Sequence, residues 1–325
     1  MRKGRATVLR LHLSVALLAG VGLLLVSVSG AALVFRPELD DAVFGSVRVE
    51  PGRPLAPLQA LLDAGQAAHP GLVPMSLVLP DREGRPARLR LERPVGEAVE
   101  ALLDPASARV LGSRWLERSP LHALRALHTE LYLGGRGRLV VGGLGLLLVL
   151  QGATGLFLWW PFTRRFPRGF TMRRGRRWRV VGYDLHKVVG IVSLAFHVPV
   201  AFSGALLALS AGAGALPSGA VLVRERDGRV AWLDRGSGAV TIVRDPRRPG
   251  ERGWALMAAL HEGRFAGLAS RWLYVAGGLT PVALALTGLA IWLGRPRSRS
   301  TRPLTPGPLT LPSPQRGEGE GGEEG

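Results

Sequence analysis

Apolar residues in this chain come in long blocks separated by mixed stretches. Four blocks, Leu11–Phe35, Leu139–Trp160, Val188–Leu216 and Trp272–Leu293, each reach the ~20 mostly apolar residues needed to cross a hydrocarbon layer about 30 Å thick. They predict four transmembrane helices. Met1–Arg10 together with Leu11–Phe35 also has the basic start and small-residue end of a signal peptide. A signal h-region is only about 7–15 residues long, so the block reads as an uncleaved anchor. Between the first two blocks, Pro57–His69 carries apolar residues at helical spacing. Leu72–Leu79, Ala87–Leu91 and Ala98–Leu103 alternate as strands do, and Val110–Leu111 adds a short last one. After the third block, Ala220–Arg224, Arg229–Leu233 and Ala239–Val243 read as three short strands punctuated by Asp227-Gly228 and Gly236–Gly238.

The pattern repeats. Leu127–Trp160 aligns without a gap to Leu260–Leu293, with 11 of 34 positions identical, among them His128/His261, Gly134/Gly267, Arg138/Arg271 and Thr154-Gly155/Thr287-Gly288. Leu11–Phe35 aligns likewise to Leu185–Leu209, matching His12/His186 and Ser29-Gly30/Ser203-Gly204. A two-segment unit used twice is a known way to build a membrane protein around a shared site. The expected fold class is a membrane all-α four-helix transmembrane bundle built from a two-helix repeat, with a small α+β domain on one side.

Charge then orients the chain. The net charge of +18 is concentrated: residues 1–10 hold four basic groups and no acid, residues 161–185 eight Arg against one Asp, and residues 294–303 four Arg and no acid. The 36–137 segment balances 13 basic against 13 acidic residues. This is the positive-inside pattern, so the charge reflects topology and no nucleic-acid partner is expected. The lipid bilayer is the partner the composition demands. The expected location is a bacterial inner membrane, multi-pass, N-in/C-in. The divisions follow: a cytoplasmic basic N-terminus at 1–10, a first span at 11–35, a periplasmic α+β domain at 36–126, a histidine segment with the second span at 127–160 and an Arg-rich cytoplasmic loop at 161–185. The third span comes at 186–216, a short hairpin insert at 217–259, a histidine segment with the fourth span at 260–293 and a disordered cytoplasmic tail at 294–325.

The chain has no cysteine, so thiolate chemistry and Cys-ligated metal are out. Histidine is the remaining candidate for a redox cofactor. An ionisable residue inside a membrane is by default a functional-site hypothesis. His12 and His186 mark one end of spans one and three, and His128 and His261 the other end of spans two and four. His197 breaks the repeat, since Leu23 is its counterpart. Eleven residues past His186, it lies on nearly the same helix face. Arg138 and Arg271 either snorkel to the interface or pair with anionic cofactor groups. The Ser-Gly and Thr-Gly pairs read as points of close helix approach. His69 and His122 are expected to face solvent.

LHTELYLGGRGRLVVGGLGLLLVLQGATGLFLWWP, an Arg-rich loop and YDLHKVVG together resemble the PepSY-associated transmembrane family, over roughly residues 9–293, with Ala56–Arg114 similar to its PepSY module. Some members are inner-membrane reductases that bind two haems and reduce ferric siderophores; other PepSY-containing proteins control peptidases. The resemblance implies one or two b-type haems, with His128, His261, His12 and His186 as iron ligands. His197 is a rival for His186 or for an outer histidine, and Arg138 and Arg271 either pair with haem carboxylates or snorkel to the interface. It implies electron transfer from an unidentified cytoplasmic donor to a ferric siderophore or other periplasmic acceptor. An outer haem would use His128 and His261, and the glycine six residues past each would admit the macrocycle. The second outer segment is short against fuller members, and no flavin site is visible. The alternative is a membrane-anchored regulator that binds an envelope peptidase or protein. A small transporter is disfavoured, because no span carries a buried acid. Oligomeric state stays open.

Overall fold

The structure is a computed structural model that describes residues 2–44, 47–80, 82–93, 96–160, 169–173, 178–210 and 219–294. In chain order the elements are α1 (Arg2–Leu33), α2 (Arg36–Phe44), α3 (Leu58–Ala68), β1 (Val73–Val78), β2 (Ala87–Glu92), β3 (Ala98–Leu103), β4 (Val110–Trp115), α4 (Pro120–Glu130) and α5 (Gly134–Trp159). Then come α6 (Trp178–Ser210), β5 (Ala220–Arg224), β6 (Val230–Asp234), β7 (Val240–Arg244), α7 (Pro249–His261) and α8 (Gly267–Leu293).

Four helices are long and apolar enough to cross a membrane: Lys3–Leu33 within α1, then α5, α6 and α8. Much of their apolar surface points outward, as with Leu18, Val21, Val192, Leu286 and Leu293, where lipid tails would cover it. They form a ring in which α1 touches α5 and α8, and α6 touches α5 and α8. Small residues let the backbones approach. A methyl on Gly145 would come within 2.9 Å of the Ala201 carbonyl oxygen, and one on Gly278 within 3.1 Å of Ala31 Cβ. Without a hydrophobic drive between helices in lipid, such close packing is what holds a bundle together.

The third span begins earlier than its apolar run, which starts at Val188. Asp184 permits this. Its carboxylate is 1% exposed and accepts hydrogen bonds from the backbone and guanidinium of Arg173, with Lys187 adding a further contact. A buried charge is tolerable when paired in this way. The far end of the expected third span, 211–216, and the tail from 295 lie outside the described residues.

Among the described residues the seven strands belong to one sheet, in the order β4-β3-β2-β1-β5-β6-β7. The segment expected as a hairpin insert at 217–259 does not stand apart. Its β5 pairs in parallel with β1, Ser76 opposite Leu222, and Leu79 N–H donates to the Arg224 carbonyl. The segment also contributes α7. Strand alternation gives the sheet two unlike faces. Leu77, Leu89, Leu91, Val99, Leu103, Val221 and Val223 are fully buried with Leu61 and Leu62 of α3. Each such side chain contributes about 1.5–3 kcal/mol by leaving water. The alternate positions, among them Arg88, Arg90, Arg114 and Arg224, face the opposite way and line a cavity above the bundle.

Candidate functional site

Two short helices deliver the histidines at the sheet end of the bundle. Ser119 starts α4 by accepting from the His122 backbone N–H, with Pro120 at the first turn, a favoured N-terminal arrangement. Leu131 ends it in the left-handed conformation. This turn leads into α5 through Gly134 at φ 59°. Gly267 begins α8 in the same way at φ 58°. Nothing lies within 4 Å of a methyl built on either glycine. The glycines six residues past His128 and His261 therefore serve the turn, and Gly267 also lines the cavity beside the histidines.

The rings of His128 and His261 face each other across the bundle, centroids 6.2 Å apart and planes at 38°. Each ring sits on a glycine of a different span. A methyl on Gly30 would come within 2.7 Å of His128 Cε1, and one on Gly204 within 2.6 Å of His261 Cε1. His128 Nδ1 donates to the Val26 carbonyl at 2.8 Å, and His261 Nδ1 to the Val200 carbonyl at 3.1 Å, with Ser203 Oγ at 3.2 Å. A carbonyl can only accept, so Nδ1 carries the proton in both rings and Nε2 keeps its lone pair. Burial, above all, pushes His128 down to about 4; the Val26 hydrogen bond opposes this, and His261 and Arg125 add to it. His261 is lowered by burial too, against its bond to Val200. Both rings are therefore neutral near pH 7, the form in which imidazole binds metal.

At the opposite end the other two repeat histidines follow the same rule on the Thr-Gly pairs. His12 Nδ1 bonds to Thr154 Oγ1 and His186 Nδ1 to Thr287 Oγ1, each at 2.9 Å. Each threonine hydroxyl also bonds to its own helix, Thr154 to Leu150 O and Thr287 to Ala283 O. With the hydroxyl hydrogen used there, the imidazole is the donor. Methyls on Gly155 and Gly288 would come within 3.4 and 3.3 Å of the His12 and His186 rings. The two ends differ in one respect. The Gln151 side-chain nitrogen lies 3.1 Å from His12 Nε2, and the Gln151 oxygen is buried without a partner among the described residues.

His197, Arg138 and Arg271 line the same cavity as the His128–His261 pair, but each is engaged by other partners. His197 Nε2 bonds to Thr280 Oγ1 at 3.0 Å, and that hydroxyl donates to the Gly277 carbonyl at 2.6 Å. Pro281 cannot donate to this carbonyl, so Thr280, held by His197, satisfies it instead. His197 belongs to this arrangement, not to either repeat pair. Arg271 is taken by Glu38, by the Val34 carbonyl and by the Phe35 ring. Arg138 lies 3.6 Å from Glu130. His69 bonds Ser113 Oγ at 2.7 Å. His122 does not face open solvent: it is half-buried and lines the cavity.

That cavity measures about 1450 Å³ and runs from the histidine pair up to the polar face of the sheet. Twelve arginines and six acids line it, so its upper part is strongly basic. Among the described residues no three His, Asp or Glu side chains converge as a metal-binding group. Two imidazoles on a roomy cavity suit a cofactor that brings its own equatorial ligands.

Four membrane-length helices carrying paired histidines beneath an α/β roof define a multi-pass membrane protein. The chain belongs to the PepSY-associated TM region family, whose match covers residues 9–295. No curated protein matches it.

Proposed function

We propose that the chain is a haem protein of the bacterial inner membrane. In this reading it passes electrons from a cytoplasmic donor to a periplasmic acceptor of the ferric-chelate class. The single observation that carries this is the His128–His261 pair. Metal–imidazole nitrogen bonds are about 2 Å, and the nitrogen lies about 1.1 Å from its ring centroid, so two imidazoles on one metal have centroids roughly 6 Å apart. The observed 6.2 Å fits. The Nδ1 anchors free both Nε2 atoms and fix the rings, as partners behind a metal ligand do. A haem held by His128 and His261 would supply one-electron chemistry there.

The protein's own contribution is positional. Gly30 and Gly204 seat the rings, and the Val26 and Val200 carbonyls hold their tautomer. The cavity that the pair lines gives an acceptor access from the sheet side. His12 and His186 form a second candidate pair at the other end, each held by the threonine of a neighbouring span. Two such sites on one bundle would relay an electron across the bilayer. This rests on the periplasmic placement of the sheet, which the arginine distribution supports. Reporter fusions test that placement: a fusion after Arg176 should behave as cytoplasmic and one after Gly236 as external.

Absorption spectroscopy of the purified chain, expressed with ample haem, tests the central reading. A Soret band with the split visible bands of six-coordinate low-spin haem is expected on reduction. A colourless protein would leave the regulator reading, in which the sheet binds an envelope protein.

A further inference from the structure

Sequence pairing singles out Arg138 and Arg271 as partners for the cofactor's carboxylates, but the structure occupies both with acids of this chain. Arg36 and Arg125 are different. Both line the cavity that holds His128 and His261. Among the described residues neither guanidinium has a hydrogen bond or an ion pair. The acids nearest in charge to Arg36 are spoken for, since Asp40 and Glu100 both pair with Arg114.

Their positions follow the histidine seat. Arg125 lies three residues before His128 on α4, a spacing that puts two side chains on one helix face. Arg36 lies six residues past Gly30, the glycine on which the His128 ring rests. Like charges surround both. Burial first, then Arg125 and Arg88, pull Arg36 below its ordinary value, and burial followed by Arg90 does the same to Arg125. Guanidiniums held together without protein partners form a ready site for carboxylates, which they bind in paired hydrogen bonds.

We infer that Arg36 and Arg125 bind the two propionate carboxylates of the haem held by His128 and His261. The inference rests on the haem reading above. It assigns to the cavity's free arginines a role that the repeat pattern assigns to Arg138 and Arg271. Two cations unpaired among the described residues, lining the same cavity as the neutral histidine pair, match a ligand with two carboxylates on one edge.

Titration of the detergent-solubilised full chain, stripped of haem, separates the possibilities through the Soret band. The probes are haem b and its dimethyl ester, in which both propionates are blocked. The wild type should bind the ester at least tenfold more weakly than haem, and Arg36→Leu/Arg125→Leu should bind haem no better than ester. Hydrogen bonds to charged groups contribute about 1.5–3 kcal/mol, hence roughly tenfold or more. Ester affinity should be unchanged by the double substitution, which shows that the variant is folded. Arg125→Lys should recover part of the loss, and Arg138→Leu should show none. Equal weakening of haem and ester, or no weakening of either, overturns the inference while the haem reading stands. A wild type that binds neither probe overturns both.

Discussion

The His128 ring occupies the space in which a side chain at residue 30 would lie: a methyl built on Gly30 falls 2.7 Å from its Cε1. His261 stands in the same relation to Gly204, at 2.6 Å. Each histidine is thus seated on a span other than the one it leads into, which ties the short helices α4 and α7 to the bundle.

Gly→Ala in a helix interior ordinarily stabilises, by up to about 1 kcal/mol. Gly143→Ala, where nothing lies within 4 Å of the added methyl, should follow that rule and leave haem content unchanged. Gly30→Ala and Gly204→Ala should break it, because one ring has to shift off its carbonyl. Each should lower haem content at the sheet end by more than half in a pyridine haemochrome assay. Normal haem content in both variants would remove the glycine seats from the mechanism.

His197 holds Thr280, which satisfies the Gly277 carbonyl that Pro281 leaves without its helical N–H. His197→Leu should cost about 1 kcal/mol, the usual worth of a hydrogen bond between membrane helices, and read out as a lower Tm. Its haem spectrum should match the wild type. Loss of haem at unchanged Tm would make His197 a ligand and break the repeat-symmetric pairing.

Arg271 donates to Glu38 and to the Val34 carbonyl, tethering α2 to α8. The Arg271 hydrogen bond, more than any other contact, holds the Glu38 carboxyl below its ordinary 4.5, with burial opposing. A depressed acid contributes stability that is present above its unfolded pKa and lost as pH falls through its folded value. Glu38 is half-exposed, so the effect is modest. Hydrogen exchange in residues 36–42, corrected for intrinsic rate, should stay constant from pH 7 to 5 and rise below 4.5. Glu38→Gln should abolish the step. Protection that persists unchanged to pH 3.5 would show the tether to be idle.

Much of this architecture can be read from sequence because its signals are local. Four apolar runs mark the spans, and the alternation in Ala87-Arg88-Leu89-Arg90-Leu91 marks both a strand and its two unlike faces. The parallel pairing of β1 with β5 has no such signal, since it joins segments about 145 residues apart. Helix α7 hides behind Pro249-Gly250-Glu251-Arg252-Gly253, which reads as a loop. At the site the gapless repeat exposes the four histidines. It does not show where they rest. Ser29-Gly30 and Thr154-Gly155 carry the same small-residue pattern whether a helix or an imidazole lies against them, so only the tertiary contact tells the two apart. Arg36 and Arg125 have no repeat signature at all. Their importance comes from which acids are already engaged.

The most direct measurement of the central claim is the haem spectrum of His128→Ala, His261→Ala and the double variant, each purified from cells supplied with haem. Ligands of one metal act as a unit, so their effects are not additive. Each single variant should lose the same share of the low-spin signal, and the double variant should lose no more. Full low-spin haem in both single variants would contradict the account, and would show that the 6.2 Å histidine pair is packing and nothing else.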